Sequence, residues 1–239
     1  MKYSIVIPTL NEKENIVSLI RCLEQAGIPD MEILVVDENS PDGTAAAVEE
    51  YAAGNERIRA IRNDGIPGLS PSIVKGFSSA RGDLLCCMDG DLQHSPEDVI
   101  KLLAAAEHAD MVIGSRYING GGFAARWSLS RTIISKTAAA MARWLLQIRL
   151  SDPMSGFFVV RRSVFLREKH RLEPRGFKIM LELYYILQCS AQDYFCTECG
   201  ITFGLRQHGH SKLGLRLIFQ YLQQLISLRR RCRGKSIHE

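Results

Sequence analysis

The residues best suited to chemistry are Asp89 and Asp91, one position apart in Met88-Asp89-Gly90-Asp91-Leu92-Gln93-His94. Gly90 lets the backbone bend between the two carboxylates, and Gln93 adds a neutral oxygen. An all-oxygen set suits a hard divalent cation, magnesium or manganese, that also holds phosphate oxygens. The competing reading makes Asp89 and Asp91 turn and capping residues at a strand-to-helix junction, which a bare D-x-D does not exclude. A second acidic pair, Asp37-Glu38, closes another apolar run. Trp127, Arg131 and Ser135 stand four apart, so they share one face of a helix that could grip an anion. Its plain alternative is a solvated basic face. Cys196-Thr197-Glu198-Cys199, with His208 and His210 downstream, invites a zinc reading. One C-x-x-C in strand-like sequence is a weak signal, and packing is the better account.

These groups need a frame that brings strand ends to one edge. Leu84 to Met88 is a short apolar run after Gly82-Asp83, read as a buried strand that ends at Asp89. In open α/β sheets, ligands bind outside the carboxyl ends of the strands. Tyr3 to Pro8 reads as a first strand, with Asn11 as helix cap, Glu14 three residues on, and Ile16, Leu19, Ile20 and Leu23 at helical spacing. Met31 to Val36 reads as a second strand, and Asn39 to Thr44 turns the chain into another helix. Ile58 to Ile61 is a weaker third strand, and Ser70-Pro71 starts a helix that runs to Ala80. A helix from Pro96 to about Glu107 and a strand from Met111 to Gly114 follow. This alternation predicts parallel strands with right-handed crossovers and helices on both faces.

Beyond Gly114 the pattern loosens. Gly120-Gly121-Gly122 predicts a mobile loop, and Ser128 to Gln147 is helical. Asp152 to Phe158 reads as a turn into a strand, Phe177 to Gln188 as a helix, and Tyr194 to Phe203 as a last strand. Leu213 to Leu228 is an amphipathic helix with a wide apolar face, followed by Arg229-Arg230-Arg231-Cys232-Arg233. Such a helix either packs on the domain or lies in a membrane interface, and the arginine cluster favours the interface.

Length and composition fit this frame. The 239 residues suffice for one large α/β domain with a continuous core. The net charge of +4 is uneven, with no Asp or Glu between Asp110 and Asp152 and only Glu239 acidic after Gly200. Anionic partners are implied. The run after Lys2 breaks at Pro8, too short for a signal peptide, and no apolar stretch would span a bilayer. The seven Cys are odd in number, and Cys22, Cys86 and Cys87 lie in apolar surroundings, as reduced thiols do. A cytoplasmic protein, peripheral on a membrane face, is expected.

The ordered set Ile7-Pro8-Thr9-Leu10-Asn11-Glu12, Val36 to Thr44, Gly68-Leu69-Ser70, Asp89 to His94, Gly114-Ser115-Arg116-Tyr117, Ser151 to Phe157 and Gly209 to Leu213 resembles the dolichol-phosphate (polyprenyl-phosphate) mannose synthases, family 2 inverting glycosyltransferases. The resemblance runs from Ile5 to about Leu228, and so many motifs in order are far more specific than one. It implies a single-domain GT-A fold, Rossmann-like, α/β with a mostly parallel central sheet. Residues 1–228 would be the catalytic domain, with the amphipathic helix at about 213–228, and 229–239 a basic tail. Pro8, Thr9, Asn11, Glu12, Asp37 and Glu38 would line the nucleoside pocket, and Asp89, Asp91 and Gln93 would hold the metal on the diphosphate. Arg206 and Lys212 would close over it, while Arg116, Arg131 and Ser135 would receive the acceptor lipid's phosphate. Leu10 replaces a frequent Tyr, Glu38 a second Asp, Gly90 an Ala and His210 a Glu, and the first two bear on which base is bound.

The implied reaction moves a hexose, first of all mannose from GDP-mannose, onto dolichyl or polyprenyl phosphate. Glucose from UDP-glucose is the nearest rival, and a non-catalytic binder of anionic lipid or nucleic acid is a rival from another class. The binder leaves the carboxylates without a role, so no nucleic-acid partner is expected. A nucleotidyltransferase would carry a glycine-rich basic first loop where Pro8 to Glu12 stands. A membrane-anchoring partner fits a chain whose own helices do not span.

Overall fold

The computed structural model describes residues 1–124, 129–174, 178–204 and 215–233. Its centre is a seven-stranded sheet in the order β3-β2-β1-β4-β7-β5-β8. The strands are β1 (Tyr3–Thr9), β2 (Met31–Asp37), β3 (Ile58–Arg62), β4 (Leu84–Cys87), β5 (Met111–Ser115), β7 (Phe158–Arg161) and β8 (Cys196–Gly200). Two-residue strands β6 (Gly122–Phe123) and β9 (Thr202–Phe203) pair in parallel as a small second sheet. The helices are α1 (Lys13–Gln25), α2 (Thr44–Tyr51), α3 (Leu69–Ser79), α4 (Pro96–Ala106), α5 (Leu129–Leu146), α6 (Arg162–Glu168), α7 (Ile179–Gln188) and α8 (Leu215–Arg233).

Alternation along the buried strands sends side chains to two cores. Ile5, Ile7, Ile33, Val35 and Cys86 face α1 and α4, where Ile16, Leu19, Ile20, Leu23, Val99 and Leu102 meet them. Val6, Leu34, Val36, Leu85 and Cys87 face the opposite side, with Phe77 of α3, Phe165 of α6 and the apolar length of α7. Phe77 lies edge-on to Phe158 and Phe165, at ring-centroid distances of 5.7 and 5.2 Å. Strands covered on both faces read as unbroken apolar runs, which is why β1, β2 and β4 stood out in the sequence.

β1 runs parallel to both β2 and β4, so their carboxyl ends lie on one edge. The chain winds from β1 through β2 to β3 and then returns to place β4 on the other side of β1. That reversal opens the crevice where open α/β sheets bind ligands. The sheet is mostly parallel, as expected, and β7, beyond the alternating half, is the strand that runs antiparallel, to β4 and β5. Its first residue, Phe158, pairs with Cys87 at the carboxyl end of β4, so the turn at 152–157 enters the sheet from the crevice side.

Other local expectations are corrected. Asn11 is not the cap of α1: the cap position belongs to Glu12, and Asn11 takes a left-handed φ of 60° with its N–H bonded to Ser40 Oγ. The glycine run predicted to be a mobile loop enters β6, where Gly122 N–H donates to Ile201 O. The last strand divides into β8 and β9 around Ile201, and α6 with the single turn Lys169–Arg171 fills a stretch for which no helix was anticipated.

α8 runs on to Arg233, into the stretch read as a basic tail, and it packs on the domain. Tyr221, Leu225, Leu228 and Cys232 are buried against the core shared with α5 and α7. Arg231 reaches the buried Glu182 of α7 at 2.7 Å and Glu173 at 3.7 Å. An amphipathic stripe looks the same whether it faces a core or lipid, and these acidic partners on a distant element settle this face. All seven cysteines are free thiols. Cys196 packs toward the α7 side of the sheet and Cys199 toward the α4 side, so the pair cannot converge on one zinc ion.

Candidate active site

The crevice is built from the ends of β1, β2 and β4 and the turn before β7. On the β1–β2 side, buried Thr9 donates its hydroxyl to Asp37 Oδ1 at 3.1 Å. Asp37 also accepts from Ser40 Oγ at 2.6 Å and from the Ser40 N–H at 2.9 Å, which fixes the loop into α2. Glu38 Oε2 accepts from the Gly68 N–H at 3.0 Å, and Gly68 takes a φ of 132° that only glycine adopts freely. Glu12 accepts from Asn15 Nδ2 at 2.7 Å. Pro8, Thr9, Asn11, Glu12, Asp37 and Glu38 therefore converge, with Leu10 partly exposed beside them.

At the end of β4 the metal candidates lie in a tightly held turn. Asp91 Oδ1 accepts from the Gln93 N–H at 3.2 Å, and Gln93 Nε2 donates to Gly204 O at 2.9 Å. His94 is buried, stacked on Phe157 with ring centroids 4.5 Å apart and 5.4 Å from Phe203 edge-on. Burial pushes its imidazole below the usual pKa, although Asp89 and Asp91 pull the other way. Its Nδ1 accepts from the Asp89 N–H. Across the crevice Gly156 faces Asp89, and a Cβ there would lie 3.4 Å from each carboxylate oxygen. The missing side chain leaves room against those oxygens.

Among the described residues no group of three His, Cys, Asp or Glu could enclose a metal. A cation of the magnesium type needs only one or two carboxylates, with substrate phosphates and water completing its shell. Asp89 and Asp91 would supply oxygen donors for such an ion, and the absence of a side chain at Gly156 leaves space beside the Asp89 oxygens.

Arg116, at the end of β5, is buried and bound in a fork to buried Asp152, with Nε–Oδ2 at 2.7 Å and Nη2–Oδ1 at 2.8 Å. Its backbone N–H donates to the same carboxylate at 3.2 Å. The guanidinium carbon lies 5.2 Å from the Phe203 ring centroid and 5.6 Å from those of Tyr117 and Phe123, so the small sheet β6–β9 clasps it. Burial alone would lower its pKa, but the Asp152 pairing outweighs it and the pKa rises. Ser135 is half-buried on α5. Arg206, Lys212 and the side chain of Arg131 lie outside the described residues.

Comparison with known proteins fits this geometry. Residues 4–167 match the model of the family described as Glycosyl transferase family 2. The chain belongs to glycosyl transferase family 2. It is 39% identical over 234 residues to the Saccharomyces cerevisiae dolichol-phosphate mannosyltransferase, covering 95% of this chain and 87% of that one. It is 38% identical over 235 residues to the Mycosarcoma maydis dolichol-phosphate mannosyltransferase, covering 95% and 79%. In fold it is similar to glucosyl-3-phosphoglycerate synthase from Mycobacterium tuberculosis, solved with Mn2+, UDP and phosphoglyceric acid. That match has a TM-score of 0.70 at 19% identity and covers 97% of this chain and 78% of the other. The GT-A architecture expected from the sequence is the one observed.

Two residues beside these candidates were given no role from the sequence. Lys178, at the cap of α7, donates to Met154 O at 2.7 Å. Burial and the nearby Arg116 charge pull its pKa down to about 8, against the opposing pull of Asp152 and Asp89. A lone Lys before the apolar run Ile179-Met180-Leu181 was the available signal. Asp152 was quoted within a motif, but its partner Arg116 is too distant in the chain for spacing to pair them.

Proposed function

We propose that this chain transfers mannose from GDP-mannose to dolichyl or another polyprenyl phosphate with inversion at the anomeric carbon. The observation that carries the reading is the meeting of the Asp89 carboxylate with the Arg116 and Lys178 cations around the turn at 152–157. The names of the two fungal relatives support both the sugar and the lipid phosphate.

In this reading the acceptor's phosphate oxygen attacks C1 of the sugar from the face opposite the leaving group. The C1–O bond to the donor diphosphate breaks, and the nucleoside diphosphate leaves with the electron pair. The nucleophile arrives ionised, so the protein's task is to bring two anionic groups together and stabilise the departing charge. Asp89, Asp91 and the Gln93 side-chain oxygen would hold magnesium or manganese, which would supply charge neutralisation at the diphosphate. Lys178, with Arg206 and Lys212 by resemblance, adds positive charge there. Pro8, Thr9, Asn11, Glu12, Asp37 and Glu38 take the nucleoside, and Arg116, Arg131 and Ser135 handle the acceptor phosphate.

A lipid acceptor requires a face toward the bilayer. None of the described helices is long and apolar enough to cross a membrane. α5 exposes Trp144 at 75%, Ile133 at 63% and Ile134 at 41%, and the adjoining α8 exposes Ile226 at 44%. Lys136, Arg149 and Arg230 are exposed on the same two helices and the turn between them and the site. Apolar side chains bordered by cations suit peripheral seating on anionic lipid, so the protein works from the membrane surface on the cytoplasmic side, with or without an anchoring partner.

Thermal-shift titration with GDP-mannose, UDP-glucose and UDP-N-acetylglucosamine, each with and without manganese, tests the donor. Manganese-dependent stabilisation by GDP-mannose, lost in Asp91→Asn, is the expected result. Stabilisation by UDP-glucose alone would move the reading to a glucosyltransferase, and stabilisation by none would favour a lipid binder.

A further inference from the structure

The Cys196-Thr197-Glu198-Cys199 segment, unused by the reaction above, places a carboxylate under the acceptor side of the site. Glu198 on β8 accepts three hydrogen bonds from the start of the turn before β7. Its Oε2 receives the Ser151 N–H at 2.9 Å, and its Oε1 receives the Ser151 hydroxyl at 2.6 Å and the Asp152 N–H at 3.2 Å. A carboxylate only accepts, so it sets the direction of the hydroxyl chain above it. Ser151 gives its proton to Glu198, leaving its oxygen to accept from Ser115 Oγ at 2.6 Å. Ser115 Oγ in turn accepts from the Tyr117 N–H at 3.3 Å.

Arg116 is therefore reached from two sides. Through Asp152, Glu198 holds the carboxylate that meets Nε, Nη2 and the Arg116 N–H. Through Ser151 and Ser115, it holds the backbone on either side of Arg116. The segment is also pinned from α5, where Arg143 Nη1 donates to Ser151 O at 2.9 Å. We infer that Glu198 is a positioning residue for Arg116, aiming the guanidinium toward the acceptor phosphate without touching substrate. The inference rests on the acceptor-side reading of Arg116 given above. Satisfied networks of this kind fix one geometry, and loss of one member leaves the others to rearrange.

The test uses the full chain with Glu198→Ala, Glu198→Gln and Arg116→Ala. The 15N resonance and exchange protection of the Arg116 Nε–H report the fork directly, whatever the activity. In Glu198→Ala this resonance is expected to shift and lose protection. The Michaelis constant for polyprenyl phosphate should rise about tenfold, the scale of a lost charged hydrogen bond, with that for the nucleotide sugar and kcat at saturation unchanged. Glu198→Gln keeps one carbonyl oxygen for the Ser151 hydroxyl and the Asp152 N–H but sets an Nε2 donor against the Ser151 N–H, so it should recover part of both readouts, more than Glu198→Ala does. An unmoved Nε–H signal in Glu198→Ala, or Gln and Ala variants that behave alike, overturns the inference. A shifted signal with acceptor kinetics unmoved in both Glu198→Ala and Arg116→Ala upholds the link between the two residues and overturns the acceptor reading instead. Should Glu198→Ala fail to fold, Ser151→Ala, which removes the hydroxyl link, takes its place with the same readouts.

Discussion

His94 Nδ1 accepts a hydrogen bond from the backbone N–H of Asp89 at 3.2 Å, so a buried ring, its pKa lowered by burial, holds the residue that opens the turn proposed to bind the metal. Asp89 can aim its carboxylate into the crevice only if that peptide stays in place. His94→Phe keeps the stacking on Phe157 and removes the acceptor, leaving a buried N–H unpaired at a cost of about 1–3 kcal/mol. His94→Asn restores an acceptor oxygen and loses the stack. Manganese titrations should show weaker metal-dependent donor binding in the Phe variant than in the Asn variant. The reverse order would mean that ring packing, and not the hydrogen bond, positions Asp89.

Lys178 gives a stability that depends on pH. Its pKa is about 8 in the folded chain against an ordinary 10.5, so between these values the unfolded chain binds the extra proton. Stability then rises with pH across that window, as the native state sheds a charge that burial disfavours. Below about pH 8 the lysine is charged in both states and the penalty is fully felt. Urea midpoints at pH 8 and pH 10 should rise for the parent relative to Lys178→Met, with other titrations cancelling in the comparison. Parallel profiles for the two proteins would show that the ammonium is not buried in the folded state.

The parts legible in the sequence were those carried by local pattern. Apolar runs bounded by Gly, Pro and Asp marked β1, β2 and β4, and their carboxyl ends delivered Asp37 and Asp89 to one edge. Direction was not legible, because the run Phe158–Arg161 has the same composition whether it lies parallel or antiparallel to β4. Long-range pairing was not legible either. Asp152 with Arg116 and Ser151 with Glu198 are contacts between residues that spacing cannot associate, and the positioning network depends on both. The metal roles proposed for Asp89 and Asp91 came from their spacing and from the motif resemblance, whereas Lys178 and Glu198 emerged only once the elements were packed.

α8 separates two kinds of arginine. Arg231 is paired with Glu182, which is buried on α7, and truncating one partner of such a pair typically costs about 3–5 kcal/mol because the other charge is stranded. Arg230 is exposed beside Ile226 on the face assigned to lipid. Arg231→Ala should thus lower the melting temperature, while Arg230→Ala should leave it unchanged and weaken sedimentation with anionic liposomes. Each such cation near an anionic surface is worth about 1 kcal/mol. Equal liposome binding by Arg230→Ala and the parent would turn this face away from the membrane.

The acceptor's phosphate decides the last expectation, because among the described residues the carboxylates and the imidazole of the site are already engaged and Lys178 is assigned as a cation to the diphosphate. Asp37 is bonded to Thr9 and Ser40, Glu38 to Gly68, and Glu12 to Asn15. Asp152 is held in the Arg116 fork, and the His94 acceptor nitrogen is taken by Asp89. Asp89 and Asp91 are assigned to the metal. A free polyprenol, whose hydroxyl must lose a proton as it attacks, therefore meets none of these described carboxylates or the imidazole as a general base, and such a base is worth about 10²- to 10⁴-fold. It also lacks the dianion that Arg116, Arg131 and Ser135 are proposed to hold. Steady-state assays with polyprenol and polyprenyl phosphate of equal chain length should give a rate for the alcohol at least about a hundredfold lower. Comparable turnover of the two would place an unrecognised base in the crevice and move the acceptor phosphate away from Arg116.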